Sequence, residues 1–168
     1  MKVIYHEDFK ESYCSDPAAA DGRIEAVIEV IEGRVEFVDA IPADEGDILA
    51  CHTGNHVAHV RKQGLYDIAA LAAGGAIQAA FNGLVEPCFA LIRPPGHHAS
   101  ANSSWGFCFF NNMAIAISKL KRENRIEKAF ILDFDLHFGD GTVNILERGY
   151  NHRVLGLNVM ALIEGLEG

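Results

Sequence analysis

Cysteine is scarce in this chain of 168 residues, and Cys14, Cys51, Cys88 and Cys108 are scattered without a C-x-x-C pair. Such spacing favours free thiols in a reducing compartment, so a cytoplasmic location is expected. No apolar run is long enough to cross a bilayer, and the opening MKVIYHEDFK has no apolar signal core. Positive charge is also short: 14 Lys and Arg stand against 23 Asp and Glu, a formal net charge of −9. That balance argues against non-specific nucleic-acid binding. Internal repeats, linkers and low-complexity tracts are absent, which leaves one domain or part of one.

Apolar residues make up 49% of the chain and charged residues 22%, ordinary values for a soluble globular domain with a real core. Lys2 to Tyr5 reads as a first strand. Ile24, Val27, Ile28 and Ile31 fall at helical spacing and predict a helix over Arg23 to Ile31, stopped by Gly33. Val35 to Val38 is a candidate strand, Asp44 to Cys51 a helical turn with an acidic start, His52 to Asn55 a turn, and His56 to Lys62 a helix. An alanine-rich helix is expected over Asp67 to Phe81. Its Gly74-Gly75 pair costs helix stability and so implies close packing against a neighbouring backbone. Phe89 to Arg93 reads as a buried strand ended by Pro94-Pro95. Asn112 to Lys121 reads as a helix with Met113, Ile117 and Leu120 inward. Phe130 to Asp135 reads as the central strand, Thr142 to Arg148 as a helix and Val154 to Val159 as a last strand. Strands alternate with helices, which predicts an α/β fold with a mainly parallel sheet.

Three stretches carry chemistry. In Ala129 to Thr142, AFILDFDLHFGDGT, the side chains of Asp133, Asp135 and His137 fall at alternate positions, on one side of an extended chain. Two carboxylates and an imidazole at the end of an apolar strand are costly to bury unless they are compensated, and a divalent metal is the usual compensation. Asp135 and His137 are the candidate metal ligands. Asp133 lies one pleat deeper, where it suits an outer acceptor or a separate cation, and Asp140 could cap the next helix or orient a histidine. In Arg93-Pro94-Pro95-Gly96-His97-His98, two prolines stiffen the entry and a glycine allows a tight turn into adjacent histidines. Such a pair can divide base and acid work near neutral pH. In Trp105-Gly106-Phe107-Cys108-Phe109-Phe110-Asn111-Asn112, an aromatic run in a glycine-bearing loop reads either as a channel wall or as core packing, with Asn111 as a helix cap. His52, His56 and His59 straddle a turn and have no ligand spacing.

R-P-P-G-H-H-A, W-G-F-C-F-F-N-N and D-F-D-L-H-F-G-D-G-T, in that order, resemble the histone deacetylase superfamily, which includes acetylpolyamine amidohydrolases and acetoin-utilisation-type proteins. Asp16-Pro17-Ala18-Ala19 with Gly22-Arg23, and Ala73-Gly74-Gly75-Ala76, extend the likeness through the N-terminal half. The resemblance implies an arginase/deacetylase-like sheet with helices on both faces. It implies a zinc-dependent amidohydrolase that removes acetyl groups from an acetylated amine, either an acetyl-lysine peptide or a small acetylpolyamine. It matches Asp135 and His137 to zinc ligands and His97 and His98 to the catalytic pair. It matches Asp133 to the carboxylate behind the first histidine, also a potassium ligand, and Asp140 to the partner of the second. Gly106 and Phe107 match positions lining the acyl-amine tunnel.

The sequence departs from the family pattern at Phe138, where many relatives carry a second histidine. It departs again at Leu157-Asn158-Val159-Met160, where a serine and a nearby histidine are usual. Family members are longer, and their third zinc ligand, an aspartate, and their oxyanion-binding tyrosine lie beyond Gly168. Residues 1–168 are therefore expected to be the N-terminal portion of a single catalytic domain. A homo-oligomer is expected to cover the open sheet edge. The alternatives are a site completed by another subunit, or a non-catalytic binding or assembly module.

Overall fold

Apolar Val3 and Ile4 place the start of the chain at the middle of the sheet. In a computed structural model, which describes residues 1–146, β1 (Lys2–Tyr5) lies between β2 (Glu36–Asp39) and β3 (Cys88–Ala90). All three strands are parallel, in the order β2-β1-β3, and Val3 pairs with Phe37 on one side and Phe89 on the other. Val3 and Ile4 are fully buried, as a central parallel strand covered on both faces requires. The fold is α/β.

Helix α1 (Arg23–Ile31) follows Gly22, whose φ of +83° only glycine adopts without strain, and it delivers Ile24 to the core shared with β1. Short α2 (Glu45–Leu49) leads into α3 (Gly54–Lys62), where Thr53 Oγ1 accepts the His56 N–H at 3.3 Å. This cap starts the helix two residues earlier than its apolar pattern suggested. Alanine-rich α4 (Tyr66–Gly83) packs on β1 and β3 and against α5 (Asn112–Arg122). A Cβ on Gly74 would sit 1.8 Å from the Ile41 carbonyl oxygen, and one on Gly75 would sit 2.8 Å from Ile92 Cγ2. Gly74 thus lets the helix meet the 41–43 backbone directly, as the sequence implied, while Gly75 makes room for the Ile92 side chain.

Three expectations need correction. The strand over Phe89 to Arg93 forms only at Cys88–Ala90, and Phe89 is exposed rather than buried. On α5 the buried residues include Ala114, Ile115, Ala116 and Leu120, while Met113 is exposed. Met113 and Ile117 instead line an open groove of about 1030 Å³ with Ala76 and Ala80 of α4. The segment Phe130 to Asp135 makes no ladder with any described strand. Phe130, Leu132 and Phe134 are open to solvent, Phe134 at 91%, while Ile131 is half-buried. Alternation shows which side chains share a face; it does not supply the neighbour that makes a strand. The last described helix, α6 (Asp140–Leu146), begins at Asp140. The strand expected at Val154 to Val159 and the departure at Leu157 to Met160 lie outside the described residues. No described helix is long and apolar enough to cross a membrane.

Asp47 on α2 is buried and ion-paired to α5, 2.7 Å from Lys119 Nζ and 2.6 Å from Arg122 Nη2. Burial alone would raise its pKa, but the hydrogen bonds from the two cations outweigh burial and hold it below the ordinary 3.8. A carboxylate depressed in the folded state stabilises above its unfolded pKa, and that stability is lost as pH falls through the folded value. Asp47→Asn is therefore expected to lower the urea midpoint at neutral pH. The gap to wild type should close below pH 3.8, as read by urea titrations across the acid range.

Candidate active site

The loop after β3 is fixed before it reaches the histidines. Arg93 is buried, donates to the Ala19 and Ala20 carbonyls, and lies over the Tyr13 ring at 5.3 Å. Asn112 Nδ2 donates to the Pro94 carbonyl at 2.9 Å. A Cβ on Gly96 would come within 2.4 Å of the Phe110 carbonyl oxygen, so the loop presses directly on the backbone entering α5. Past the histidines, Thr142 N–H donates to the His97 carbonyl at 3.1 Å. The start of α6 therefore rests against the same loop.

His97 and His98 lie side by side, ring centroids 4.0 Å apart, and each has its own carboxylate. His97 Nδ1 is 3.0 Å from Asp133 Oδ2, and His98 Nδ1 is 2.7 Å from Asp140 Oδ1. Trp105 Nε1–H donates to Asp140 Oδ2 at 2.9 Å, and its indole stacks on His98 at 3.6 Å. Burial pushes the Asp140 carboxyl up, but the hydrogen bonds from Trp105 and His98 outweigh it and leave the group below its ordinary value. A carboxylate accepting Nδ1–H fixes the neutral imidazole with its lone pair on Nε2. His98 is almost fully buried, while His97 is more open and its Nε2 lies 3.9 Å from Asp135 Oδ1.

Asp135 and His137 face this pair. Asp135 Oδ1 accepts the His137 backbone N–H at 2.8 Å and lies 3.3 Å from His137 Nδ1. The backbone bond is the main cause holding the Asp135 carboxyl below its ordinary pKa. Two ligands on a tetrahedral zinc with bonds of about 2.0–2.1 Å are roughly 3.3–3.4 Å apart, so this carboxylate–imidazole pair suits two corners of such a site. Among the described residues no third protein ligand joins them. Gly106, at φ +58°, lies against His98, where a Cβ would meet Cδ2 at 2.8 Å. Phe107 lines a cavity of about 590 Å³ with His56, His59 and Trp105.

Behind the site lies a clamp that the sequence did not disclose. Asn111 N–H donates to His52 Nε2 at 2.9 Å, so the His52 proton sits on Nδ1, which donates to the Ser100 carbonyl at 2.9 Å. Asn111 caps α5 through Ala114 N–H, and its Nδ2 also donates to the Ala99 carbonyl and Thr142 Oγ1, each at 3.1 Å. The only available signal was Asn111 as a cap; His52 carried none, because its partners lie 48 and 59 residues away. Burial, followed by the nearby His56, lowers the His52 pKa from 6.5 to about 4. The folded state therefore stays neutral while the unfolded chain takes up a proton. Stability present above pH 6.5 is lost as pH falls towards about 4. His52→Gln is expected to flatten this part of the stability–pH curve, as measured by urea midpoints.

A family model described as the histone deacetylase domain matches residues 17–161. The chain belongs to the histone deacetylase family. This deacetylase-family chain is 38% identical over 147 residues to a probable deacetylase of Methanothermobacter thermautotrophicus, covering 76% of the chain and 44% of the relative. It is 31% identical over 147 residues to a histone deacetylase-like amidohydrolase of Pseudomonas aeruginosa, covering 75% and 39%. Its fold matches the crystal structure of the HDA15 HD domain with a TM-score of 0.77 at 28% identity, covering 89% of this chain and 52% of that one. The chain thus spans less than half the length of these two curated relatives.

Proposed function

We propose that this chain is the N-terminal portion of a zinc-dependent deacetylase that hydrolyses an acetylated amine, an acetyl-lysine peptide or an acetylpolyamine. The observation that carries the reading is the doubled Asp–His arrangement: two adjacent imidazoles, each held at Nδ1 by a separate carboxylate. Asp135 and His137 would hold the zinc together with a ligand outside the described residues. When bound, the metal supplies Lewis-acid polarisation of the acetyl carbonyl and lowers the pKa of water.

The protein's own groups do the rest. His98 takes the proton of the attacking water at Nε2 and returns it to the departing amine nitrogen, whose expulsion as an anion is the difficult step. Asp140 keeps the required tautomer and offsets the positive charge while the proton is held. His97 acts mainly through its field, its Nε2 lying 3.9 Å from Asp135 Oδ1, the carboxylate assigned here to the metal. Asp133 orients His97 and would supply a carboxylate to a potassium ion. Gly106 and Phe107 line the approach of the acylated chain.

The test is hydrolysis of acetyl-lysine peptides and acetylated polyamines by the zinc-loaded protein, before and after chelation. Turnover that disappears with zinc and returns on its addition supports the reading. Absence of turnover for every acetylated amine, with no zinc retained on dialysis, would favour a binding or assembly module. Activity confined to an oligomer in size-exclusion fractions would point to a site completed between subunits.

A further inference from the structure

Trp105 is the only tryptophan of the chain, and it is 54% exposed, so core packing does not account for it. One face of its indole lies on the His98 ring at 3.6 Å and 25°, and the His97 ring is 4.0 Å from the same imidazole. Its Nε1–H reaches Asp140 Oδ2 at 2.9 Å, while Asp140 Oδ1 faces His98 Nδ1 at 2.7 Å. The three side chains close a triangle in which each touches the other two. Both carboxylate oxygens of Asp140 are engaged, so the group cannot turn about its Cβ–Cγ bond without breaking a charge-assisted hydrogen bond. The imidazole in turn cannot tilt without losing its stack.

The backbone after Trp105 gives a second, independent indication. Gly106 and Phe107 have φ values of +58° and +51°, two consecutive left-handed residues, the second of them not glycine. Such a turn is strained and persists only where the surroundings impose it. Here it folds the chain over the His98 ring, so close that a Cβ on Gly106 would meet Cδ2 at 2.8 Å.

We propose that Trp105 is a positioning residue: its indole N–H locks Asp140 and its ring clamps His98, and together they fix the direction of His98 Nε2. This rests on the deacetylase reading for its effect on rate, but not for the contacts themselves. Trp105→Phe keeps an aromatic face and removes the N–H; Trp105→Leu removes both.

With an acetyl-lysine peptide as substrate, kcat is expected to fall about tenfold in the first variant and about 10²-fold in the second, with KM within roughly twofold. In an Asp140→Asn background, Trp105→Phe should add little, since the two act on one bond. Two NMR signatures read the geometry without turnover. The His98 ring protons should lie upfield in wild type and move downfield in Trp105→Leu. The His98 Nδ1–H should exchange with water faster in Trp105→Phe than in wild type. A raised KM with unchanged kcat would make Trp105 a substrate contact and overturn the proposal. Unshifted ring protons in wild type, or Nδ1–H exchange indifferent to Trp105→Phe, would overturn it as well. A wild-type protein that hydrolyses no acetylated amine but shows both signatures refutes the deacetylase reading and leaves the clamp standing.

Discussion

Replacing His98 by alanine is expected to lower kcat by about 10³-fold, within the range of roughly 10²–10⁴ that a positioned acid–base group contributes, while KM changes little. The reasoning starts from the ring nitrogens. Asp140 Oδ1 lies 2.7 Å from Nδ1, which assigns the proton there and leaves Nε2 as the basic atom. Asp140→Asn is a sharper probe of the same idea. An asparagine can donate to Nδ1 and so select the opposite tautomer, with a proton on Nε2 and no base. Its loss should approach that of His98→Ala, although the imidazole is still present. His97→Ala is expected to cost less, about 10- to 10²-fold, if His97 serves through charge and orientation as proposed. Steady-state kinetics on a zinc-loaded acetyl-lysine peptide assay decide the order. Equal losses at His97 and His98 would show that the two histidines share the proton.

The largest stability effect is expected at Gly74. An alanine there would put Cβ 1.8 Å from the Ile41 carbonyl oxygen and 2.6 Å from the Ala43 nitrogen, both backbone atoms without freedom to swing away. Either α4 or the 41–43 segment must move, and α4 is simultaneously packed on β1, β3 and α5. The cost is estimated at about 3 kcal/mol, the upper part of the range for overpacking a tight core. Tm should fall by roughly 10 °C. Gly83→Ala, at the end of the same helix, provides the control. Nothing lies within 4 Å of its Cβ position, so the change should stabilise by about 0.5–1 kcal/mol through the unfolded chain. Thermal and urea melts of the two variants should move in opposite directions. A shift of the same sign in both would show that helix propensity, not backbone contact, controls this helix.

Local information was readable in the sequence and longer-range information was not. The span of α1 follows from Ile24, Val27, Ile28 and Ile31, because helical spacing is a property of neighbouring residues. Ile24 is buried and Val27 is not, since the partner surface decides which part of the stripe is used. Grouping Asp133, Asp135 and His137 also needs only alternation. Their distance from His97 and His98 is set by packing across more than thirty intervening residues, and only the family resemblance pointed to it in advance. The strand expected at Phe130 to Asp135 failed for the same reason, because a ladder belongs to two segments and the pattern describes one. Met113 and Ile117 look inward by spacing alone, yet Ala114, Ile115 and Ala116 share the core with Ala69, Ala73 and Ile77 of α4, because the partner surface decides which face of the helix is buried. His52 was unreadable as a clamp, since a polar residue with two distant backbone partners leaves no local trace.

The separations within the site also set the order of assembly. His97 joins Asp133 across 36 residues, His98 joins Asp140 across 42, and His52 joins the Asn111 backbone across 59. Each contact closes a long loop, and loop-closure entropy must be spent before such contacts repay it. Helices such as α1 and α4 form from neighbouring residues on far shorter timescales. During refolding, helical signal should therefore return ahead of any pairing between the histidines and their carboxylates. A newly made chain is therefore expected to gain helical turns while its two imidazoles still lack their aspartates.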